Sequence, residues 1–174
     1  EKASDALKKS LKIRKSANTL FMLAEIEKKL GNWGRSVNIY RHLIQFDELE
    51  SKQKSNALTN LGLLYLDQGE EQLSLGYLRA AASMDEQSWV INQILGKAYA
   101  RFDKWNEALV QFQSALSKKN NLENLLNSAQ ASSKLNKVEI ANHYFQQAIQ
   151  QAGKDDVSLE EKKIVLDTFG YFLV

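Results

Sequence analysis

The chain contains no cysteine and no proline among its 174 residues, and only two histidines. Without cysteine it can form neither a disulfide nor a thiolate metal site, and it has no thiol nucleophile. Because proline breaks helix interiors, its absence suits a chain that is almost entirely helical with short turns. His42 and His143 stand far apart and belong to no HExxH or similar catalytic motif. The sequence therefore predicts no enzyme, no bound metal and no cofactor.

The chain also lacks a charge imbalance and a long apolar run. Its 23 basic and 21 acidic side chains leave a formal net charge of +2. This near balance argues against a nucleic-acid partner selected by bulk charge. No apolar segment approaches the roughly 18 residues that a transmembrane helix needs, so we expect no direct membrane insertion of this segment.

What the chain does contain is a repeated segment. Residues 55–84 read as two amphipathic helices joined by a tight turn at Gly69, and residues 89–120 follow the same pattern. Equivalent residues stand 34 positions apart: Leu61, Gly62, Tyr65, Ser74, Leu78 and Ala81 match Leu95, Gly96, Tyr99, Ala108, Phe112 and Ala115. Apolar and small side chains at helical spacing predict packed helix pairs. The predicted fold class is therefore all-α, built from antiparallel helix pairs.

The same pattern extends over the whole chain and predicts a single domain, 1–174. Its parts are a half repeat at 1–16, repeats near 17–50, 55–88, 89–121 and 122–155, and a half repeat at 159–174. In the first half repeat Ala3, Leu7 and Ser10 are expected to face inward, as a second helix of a pair. The step from residue 17 to residue 55 is four longer than the usual 34, and the extra residues are expected to extend a flanking helix.

Turn residues and small residues recur at fixed positions. Each predicted helix turn carries a residue that tolerates the left-handed backbone conformation, namely Gly31, Gly69, Asp103 and Asn136. One position of the first helices is always small, as Ala24, Gly62, Gly96 and Ala129, which lets paired helices approach closely. In the first full repeat we expect Leu20, Leu23, Ala24 and Leu30 to face the core.

These features resemble the tetratricopeptide repeat (TPR), whose period is 34 residues and whose signature is W/L-x2-L-G-x2-Y followed by A-x3-F-x2-A. Residues 58–81 and 95–115 carry most of it, whereas Glu27 and Ser132 stand where the family favours tyrosine. The resemblance covers essentially the whole chain and implies an α-α superhelix, or solenoid. It also implies a non-catalytic scaffold for protein partners, because members of this family are interaction modules with varied partners.

In this family the first helices of the repeats line a concave groove that holds a partner segment. The matching positions here are predicted to form the partner-binding groove: Phe21, Glu25, Asn56, Asn60, Leu63, Gln93, Lys97, Arg101, Asn127, Gln130 and Lys134. Asn60 and Asn127 can hydrogen-bond the backbone of an extended peptide, since an amide both donates and accepts. Lys97, Arg101 and Lys134 favour an acidic protein or peptide segment.

One subfamily is excluded in the register that starts at the first full repeat. Chaperone adaptors of the TPR family hold a C-terminal carboxylate with Lys and Asn on one helix, Asn on the next, and Lys and Arg on the third. Here Phe21 and Glu25 replace the first pair, and Val90 and Ile94 replace the last pair. Only Asn60 matches, so binding of a chaperone tail is not expected.

Several alternatives stay open at this point. The array is similar to the periplasmic arm of a larger bacterial outer-membrane protein of the polysaccharide-export or phage-adsorption type. It could also regulate an enzyme carried elsewhere on a longer chain, or present an ordinary solvated surface without a ligand. The compartment is accordingly either the cytoplasm or the bacterial periplasm and cell envelope. Apolar residues near the end, such as Tyr171 and Phe172, allow end-to-end self-association.

Overall fold

The computed structural model describes residues 17–153 and, beyond them, residues 158, 160, 163, 164 and 167. Residues 17–153 form eight helices and no strand, so the all-α prediction is confirmed. The helices are α1 (17–29), α2 (Trp33–Ile44), α3 (Ser51–Asp67), α4 (Glu71–Met84), α5 (Trp89–Arg101), α6 (Trp105–Lys118), α7 (Leu122–Lys134) and α8 (Val138–Ala152). Odd-numbered helices are called first helices and even-numbered ones second helices.

The chain divides into two compact units, Glu1–Glu86 and Gln87–Val174. The described part of unit 1 consists of α1 to α4, and that of unit 2 consists of α5 to α8. The single-domain prediction with its repeat boundaries stays a prediction. The predicted half repeat 1–16 lies outside the described residues, as does all of 159–174 except the four positions named above.

The long step between the first two repeats is absorbed by α3. This helix begins at Ser51 and has 17 residues, whereas α5 and α7 have 13 each. The prediction that four extra residues extend a flanking helix is confirmed. The Glu50 side chain caps the new N-terminus, and Gln53 Oε1 accepts from the backbone N–H of Glu50 at 3.3 Å.

All four predicted turn residues adopt the left-handed conformation. The φ angles are 78° at Gly31, 75° at Gly69, 56° at Asp103 and 57° at Asn136. A helix ends readily when one residue takes this conformation, because the turned backbone then satisfies the last free carbonyls. In the α3–α4 turn, for example, the N–H of Glu70 donates to the carbonyl oxygen of Tyr65 at 2.9 Å.

Substitution of Gly69 measures the free-energy cost of the positive φ in such a turn, separately from any steric clash. A Cβ at Gly69 would meet nothing within 4 Å, so only its positive φ resists an L side chain. We expect Gly69→Ala to lower the free energy of unfolding by about 1 kcal/mol, and Gly69→Asn to lower it less, because asparagine tolerates this conformation better. Urea unfolding measures both. Gly34→Ala in α2 is the matched control with open space and no positive φ, and an equal loss there would contradict the turn account.

Close helix packing depends on the predicted small residues. A Cβ added at Gly62 would lie 2.5 Å from Leu78 Cγ, and one added at Gly96 would lie 2.5 Å from Phe112 Cε1. Serine serves the same purpose elsewhere, because the Ser36 hydroxyl donates to the carbonyl oxygen of Ala24 at 2.8 Å. The first and second helices of the first three pairs, α1/α2, α3/α4 and α5/α6, therefore approach closely at these small residues.

The inward face predicted for α1 is partly wrong. Ala24 is fully buried and Leu20 half-buried, as expected, but Leu23 is 41% and Leu30 68% exposed. An α-helix turns about 100° per residue, so both leucines lie about 100–120° away from Ala24, on the flank of the helix. The core side of α1 instead carries Ala17 and Phe21, which pack with Tyr40 of α2.

Candidate partner-binding faces

The predicted partner-binding residues fall on first helices of both units, and each unit is described separately. Unit 1 carries Phe21, Glu25, Asn56, Asn60 and Leu63, called here the unit 1 face. Unit 2 carries Gln93, Lys97, Arg101, Asn127, Gln130 and Lys134, called the unit 2 face.

On α1 the two predicted residues are both in contact with Tyr40. The rings of Phe21 and Tyr40 meet edge to face with centroids 6.0 Å apart. The Tyr40 hydroxyl donates to Glu25 Oε1 at 2.5 Å. Burial raises the pKa of Tyr40 far above its ordinary value, and the adjacent Glu25 raises it further. Phe21 and Glu25 thus hold α1 and α2 together while remaining half-exposed.

On α3 the two predicted asparagines make no side-chain hydrogen bond in the described part of the chain. Asn56 is exposed and Asn60 half-buried. They stand four residues apart and so lie on one side of α3. Leu63 beside them is half-buried. The result is a short strip with two free amides and one apolar side chain.

In unit 2, Gln93 is turned inward. It is only 7% exposed, and its Nε2 donates to Oδ1 of Asn124 at 2.8 Å. Asn124 is fully buried and in turn donates from Nδ2 to the carbonyl oxygen of Lys119 at 2.9 Å. Gln93 therefore joins α5 to α7 and is not an open group on the unit 2 face.

The three cations of the unit 2 face differ in their surroundings. Lys97 Nζ lies 2.6 Å from Glu123 Oε1, so its charge is compensated on the surface. Lys134 Nζ lies 5.9 Å from the ring centroid of Trp105, within cation–π range. Arg101 is exposed and has no ion pair in the described part of the chain. Arg101 is accordingly the cation most available to a partner carboxylate.

The two remaining predicted residues of unit 2 lie on α7. Gln130 is exposed and makes no hydrogen bond in the described part of the chain. Asn127 is half-buried, and its Nδ2 is a buried donor without a partner among the described residues. Asn127 is thus less open to a partner than Gln130.

Solved structures share this arrangement of helices. MamA from Desulfovibrio magneticus RS-1, residues 41 to the end, is 15% identical with a TM-score of 0.68, and the match covers 80% of this chain and 77% of that one. YrrB, described as a TPR protein with an unusual peptide-binding site, is 17% identical with a TM-score of 0.64, covering 84% and 74%. The first TPR of Spaghetti (RPAP3), bound to the HSP90 peptide SRMEEVD, is 17% identical with a TM-score of 0.57, covering 72% and 98%.

The chain has the tetratricopeptide-repeat fold. A scan of protein-family models finds no match to the sequence, and a search of curated proteins finds none. At identities below 20% the solved structures bear on the fold of this TPR chain and not on its partner. The recognition of the repeat from the spacing of its small and aromatic residues is confirmed.

Two polar clusters of the TPR chain were not predicted. In unit 2, Lys118 Nζ donates to Asn92 Oδ1 at 2.6 Å, and Asn92 Nδ2 donates to Gln111 Oε1 at 2.9 Å. In unit 1, the rings of Tyr65 and Tyr77 stack in parallel with centroids 5.6 Å apart. Arg41 Nη2 donates to the Tyr65 hydroxyl at 2.8 Å, and hydrogen bonding to Tyr77 raises the pKa of the Arg41 guanidinium. Apolar periodicity carries no signal for contacts between polar residues so far apart in sequence.

Other features of the described residues involve none of the predicted partner-binding residues. A pocket of about 460 Å³ opens in unit 2 among Asn120, Leu125, Gln147, Gln150 and Gln151, none of which was predicted to bind a partner. Within the described ranges, no three potential metal ligands come together, and no helix has the length and hydropathy to span a bilayer. His42 and His143 are both exposed on second helices, where they contact Phe46 and Gln147.

Proposed function

We propose that the chain is a non-catalytic protein-binding scaffold that holds an extended partner segment against its first helices. The observation that carries the proposal is the unpaired polar side chains that these helices leave open, Asn56, Asn60, Arg101 and Gln130. The solvent side of a packed helix is polar or charged. The free amides on this side can pair with the donors and acceptors of a peptide backbone. The peptide-binding descriptions of YrrB and RPAP3 agree with this proposal.

The unit 1 face favours backbone recognition. Asn56 and Asn60 present two free amides one helical turn apart on α3, with Leu63 next to them. Each amide can accept from one backbone N–H and donate to one carbonyl of a bound segment. Leu63 offers apolar contact for one partner side chain. This face therefore fits an extended peptide of mixed sequence.

The unit 2 face favours an acidic residue in the partner. Lys97 is matched by Glu123, and Lys134 lies near Trp105, whereas the Arg101 guanidinium is exposed and unpaired among the described residues. An arginine fork binds a carboxylate through two parallel hydrogen bonds, which a lysine cannot do. We therefore propose that Arg101 recognises an acidic side chain of the partner.

The test is binding by single-charge variants. Peptides selected against the wild-type chain from a display library are expected to be enriched in Asp and Glu. Arg101→Glu should weaken the tightest of them roughly ten- to hundredfold, the range expected for a charge-assisted hydrogen bond. Isothermal titration measures the dissociation constants, and circular dichroism checks that helicity is unchanged.

Two controls separate Arg101 from general electrostatics. Arg79→Glu makes the same charge change on a second helix, and it should leave binding within about twofold at moderate salt. Lys97→Glu combined with Glu123→Lys keeps the ion pair while exchanging its ends, and it too should bind nearly normally. Equal losses in Arg101→Glu and Arg79→Glu would refute recognition at this face.

The remaining interpretations concern other segments of a longer protein. A periplasmic arm of a bacterial outer-membrane protein and a regulatory module of an enzyme are both compatible with a protein-binding TPR chain. Each stays a prediction that the sequence of flanking segments would decide.

A further inference from the structure

Three helices of unit 1 bring a cation and two tyrosine hydroxyls together. Arg41 of α2 donates from Nη2 to the hydroxyl oxygen of Tyr65 of α3 at 2.8 Å, and a hydrogen bond to Tyr77 of α4 raises the pKa of its guanidinium. The rings of Tyr65 and Tyr77 stack with centroids 5.6 Å apart and an angle of 6° between their planes. Arg41 is exposed and both tyrosines are half-buried. We call these three residues the Arg41 cluster.

The cluster presents one positive charge and several hydrogen-bond donors to solvent. Because arginine has N–H donors only, the tyrosine oxygens accept from it and keep their own protons for another acceptor. In the described part of the chain Arg41 forms no ion pair, and neither hydroxyl proton has an acceptor. The guanidinium has five N–H groups in all, so it also has donors that these two contacts do not use. The group that complements such a set of donors is an oxyanion.

Unit 2 shows that packing at this position does not need the charge. Arg41 of α2 and Gln113 of α6 each directly follow the large buried residue of their helix, whereas Tyr77 of α4 and Tyr144 of α8 directly precede it. The two pairs therefore correspond in the repeat, and Gln113 Nε2 donates to the Tyr144 hydroxyl at 3.1 Å. A neutral amide thus makes this contact between second helices in unit 2. The arginine of unit 1 keeps the contact and adds a positive charge.

The Arg41 cluster lies on a different side of α3 from the unit 1 face. At about 100° per residue, Tyr65 lies about 180° around α3 from Asn56, about 140° from Asn60 and about 160° from Leu63. Arg41 and Tyr77 belong to second helices, which contribute no residue to either face. Binding at the cluster is therefore independent of the unit 1 and unit 2 faces.

We propose that the Arg41 cluster is a second binding site of unit 1, which takes the side-chain carboxylate of an aspartate or glutamate in a protein partner. Charge complementarity supports this ligand, because one guanidinium balances one carboxylate, whereas a doubly charged phosphate group is better matched by several arginines. The guanidinium and a tyrosine hydroxyl donate to the same carboxylate through charge-assisted hydrogen bonds. The stacked rings keep water away from one side of the site, which strengthens these hydrogen bonds.

Two capped pentapeptides test the site: Ac-Ala-Ala-Glu-Ala-Ala-amide, called the Glu peptide, and the same peptide with glutamine in place of glutamate, called the Gln peptide. The full chain is isotope-labelled in its tyrosine rings, and two-dimensional NMR follows the ring signals as each peptide is titrated at constant ionic strength. We expect the Glu peptide to shift the signals of Tyr65 and Tyr77 to saturation and the Gln peptide to shift neither. Tyr144, which contacts the neutral Gln113, is the internal control and should stay unchanged with both.

Arg41→Gln is the most informative variant, because glutamine makes the equivalent contact in unit 2. It should weaken binding of the Glu peptide at least about tenfold, the loss expected when a charge-assisted hydrogen bond is removed, with helicity unchanged by circular dichroism. Tyr77→Phe keeps the ring and removes one hydroxyl, and it should weaken binding about two- to tenfold. Arg101→Glu should leave the Tyr65 and Tyr77 shifts intact, so a failure of this site and a failure of the unit 2 face are distinguishable.

Saturable shifts that require both the glutamate of the peptide and Arg41 support the site. Equal shifts with the two peptides, no shift of Tyr65 and Tyr77, or unchanged binding in Arg41→Gln would overturn it. Inorganic phosphate is titrated in the same way, and tighter binding of phosphate than of the Glu peptide would also overturn the assignment to a carboxylate. If Arg41→Gln fails to fold, Tyr77→Phe decides, and unchanged binding in that variant counts against the site.

Discussion

Gly96→Val is expected to lower the free energy of unfolding by about 3 kcal/mol, the upper end of the range for an overpacked core. A Cβ at this position would lie 2.5 Å from Cε1 and 2.6 Å from Cδ1 of Phe112. The Phe112 ring is 2% exposed and packed among α6 and α7 residues, so it has little space in which to retreat. The expected loss exceeds any gain from replacing a helical glycine, which is about 1 kcal/mol. Urea unfolding followed by circular dichroism measures it.

The matched control for this prediction is Gly76→Val in the exposed middle of α4. A Cβ at Gly76 would meet nothing within 4 Å, so the substitution should be neutral or slightly stabilising. A second variant tests the clash itself. Phe112→Leu combined with Gly96→Val should recover part of the loss, giving a favourable coupling energy in a double-mutant cycle. A loss at Gly96 that is unaffected by the residue at 112 would contradict the packing account.

Asn124→Leu is expected to lower the free energy of unfolding by a similar amount, about 3 kcal/mol, for a different reason. The substitution leaves the buried Gln93 amide without an acceptor and the Lys119 carbonyl without its donor. Each buried polar group that loses its partner costs about 1–3 kcal/mol. Asn106→Leu, at an exposed position of α6, is the control and should change stability by less than about 0.5 kcal/mol.

Substituting Gln93 as well tests whether the loss comes from its hydrogen bond to Asn124. Gln93→Leu together with Asn124→Leu removes both members of the pair, so no side-chain amide is left unsatisfied and only the Lys119 carbonyl still lacks its donor. We expect the double variant to be more stable than Asn124→Leu alone. If adding Gln93→Leu instead causes a further full loss, the two side chains act independently and the link between α5 and α7 is not energetically coupled.

The parts of the fold that could be predicted from the sequence are those in which a residue type has a single structural role, such as ending a helix or allowing two helices to approach. Glycine, asparagine or aspartate at a helix end predicts a positive φ, and Gly31 and Asn136 both have one. A glycine inside an amphipathic helix predicts a close approach, and Gly62 and Gly96 both contact a large side chain. Residues of these kinds can be interpreted without knowledge of what lies opposite.

The features that escaped prediction depend on a neighbour. Leu23 looks like a core residue because it stands at the repeat position of Leu61 and Leu95, yet it is 41% exposed, whereas those two leucines are buried against neighbouring helices. Gln93 and Lys97 were both predicted as open groove positions. Their partners, Asn124 and Glu123, stand more than 20 residues away, and no periodicity in the sequence links a polar residue to a polar residue at that distance.

Side-chain amide signals of asparagine and glutamine test the proposed partner-binding faces most directly. Both kinds of helix carry them, so one two-dimensional NMR titration with a selected acidic peptide compares the two sides of the molecule. We expect the signals of Asn56, Asn60 and Gln130 on first helices to shift on binding, and those of the exposed Gln72 and Gln146 on second helices to stay unchanged. Shifts confined to Gln72 and Gln146 would contradict binding along the first helices.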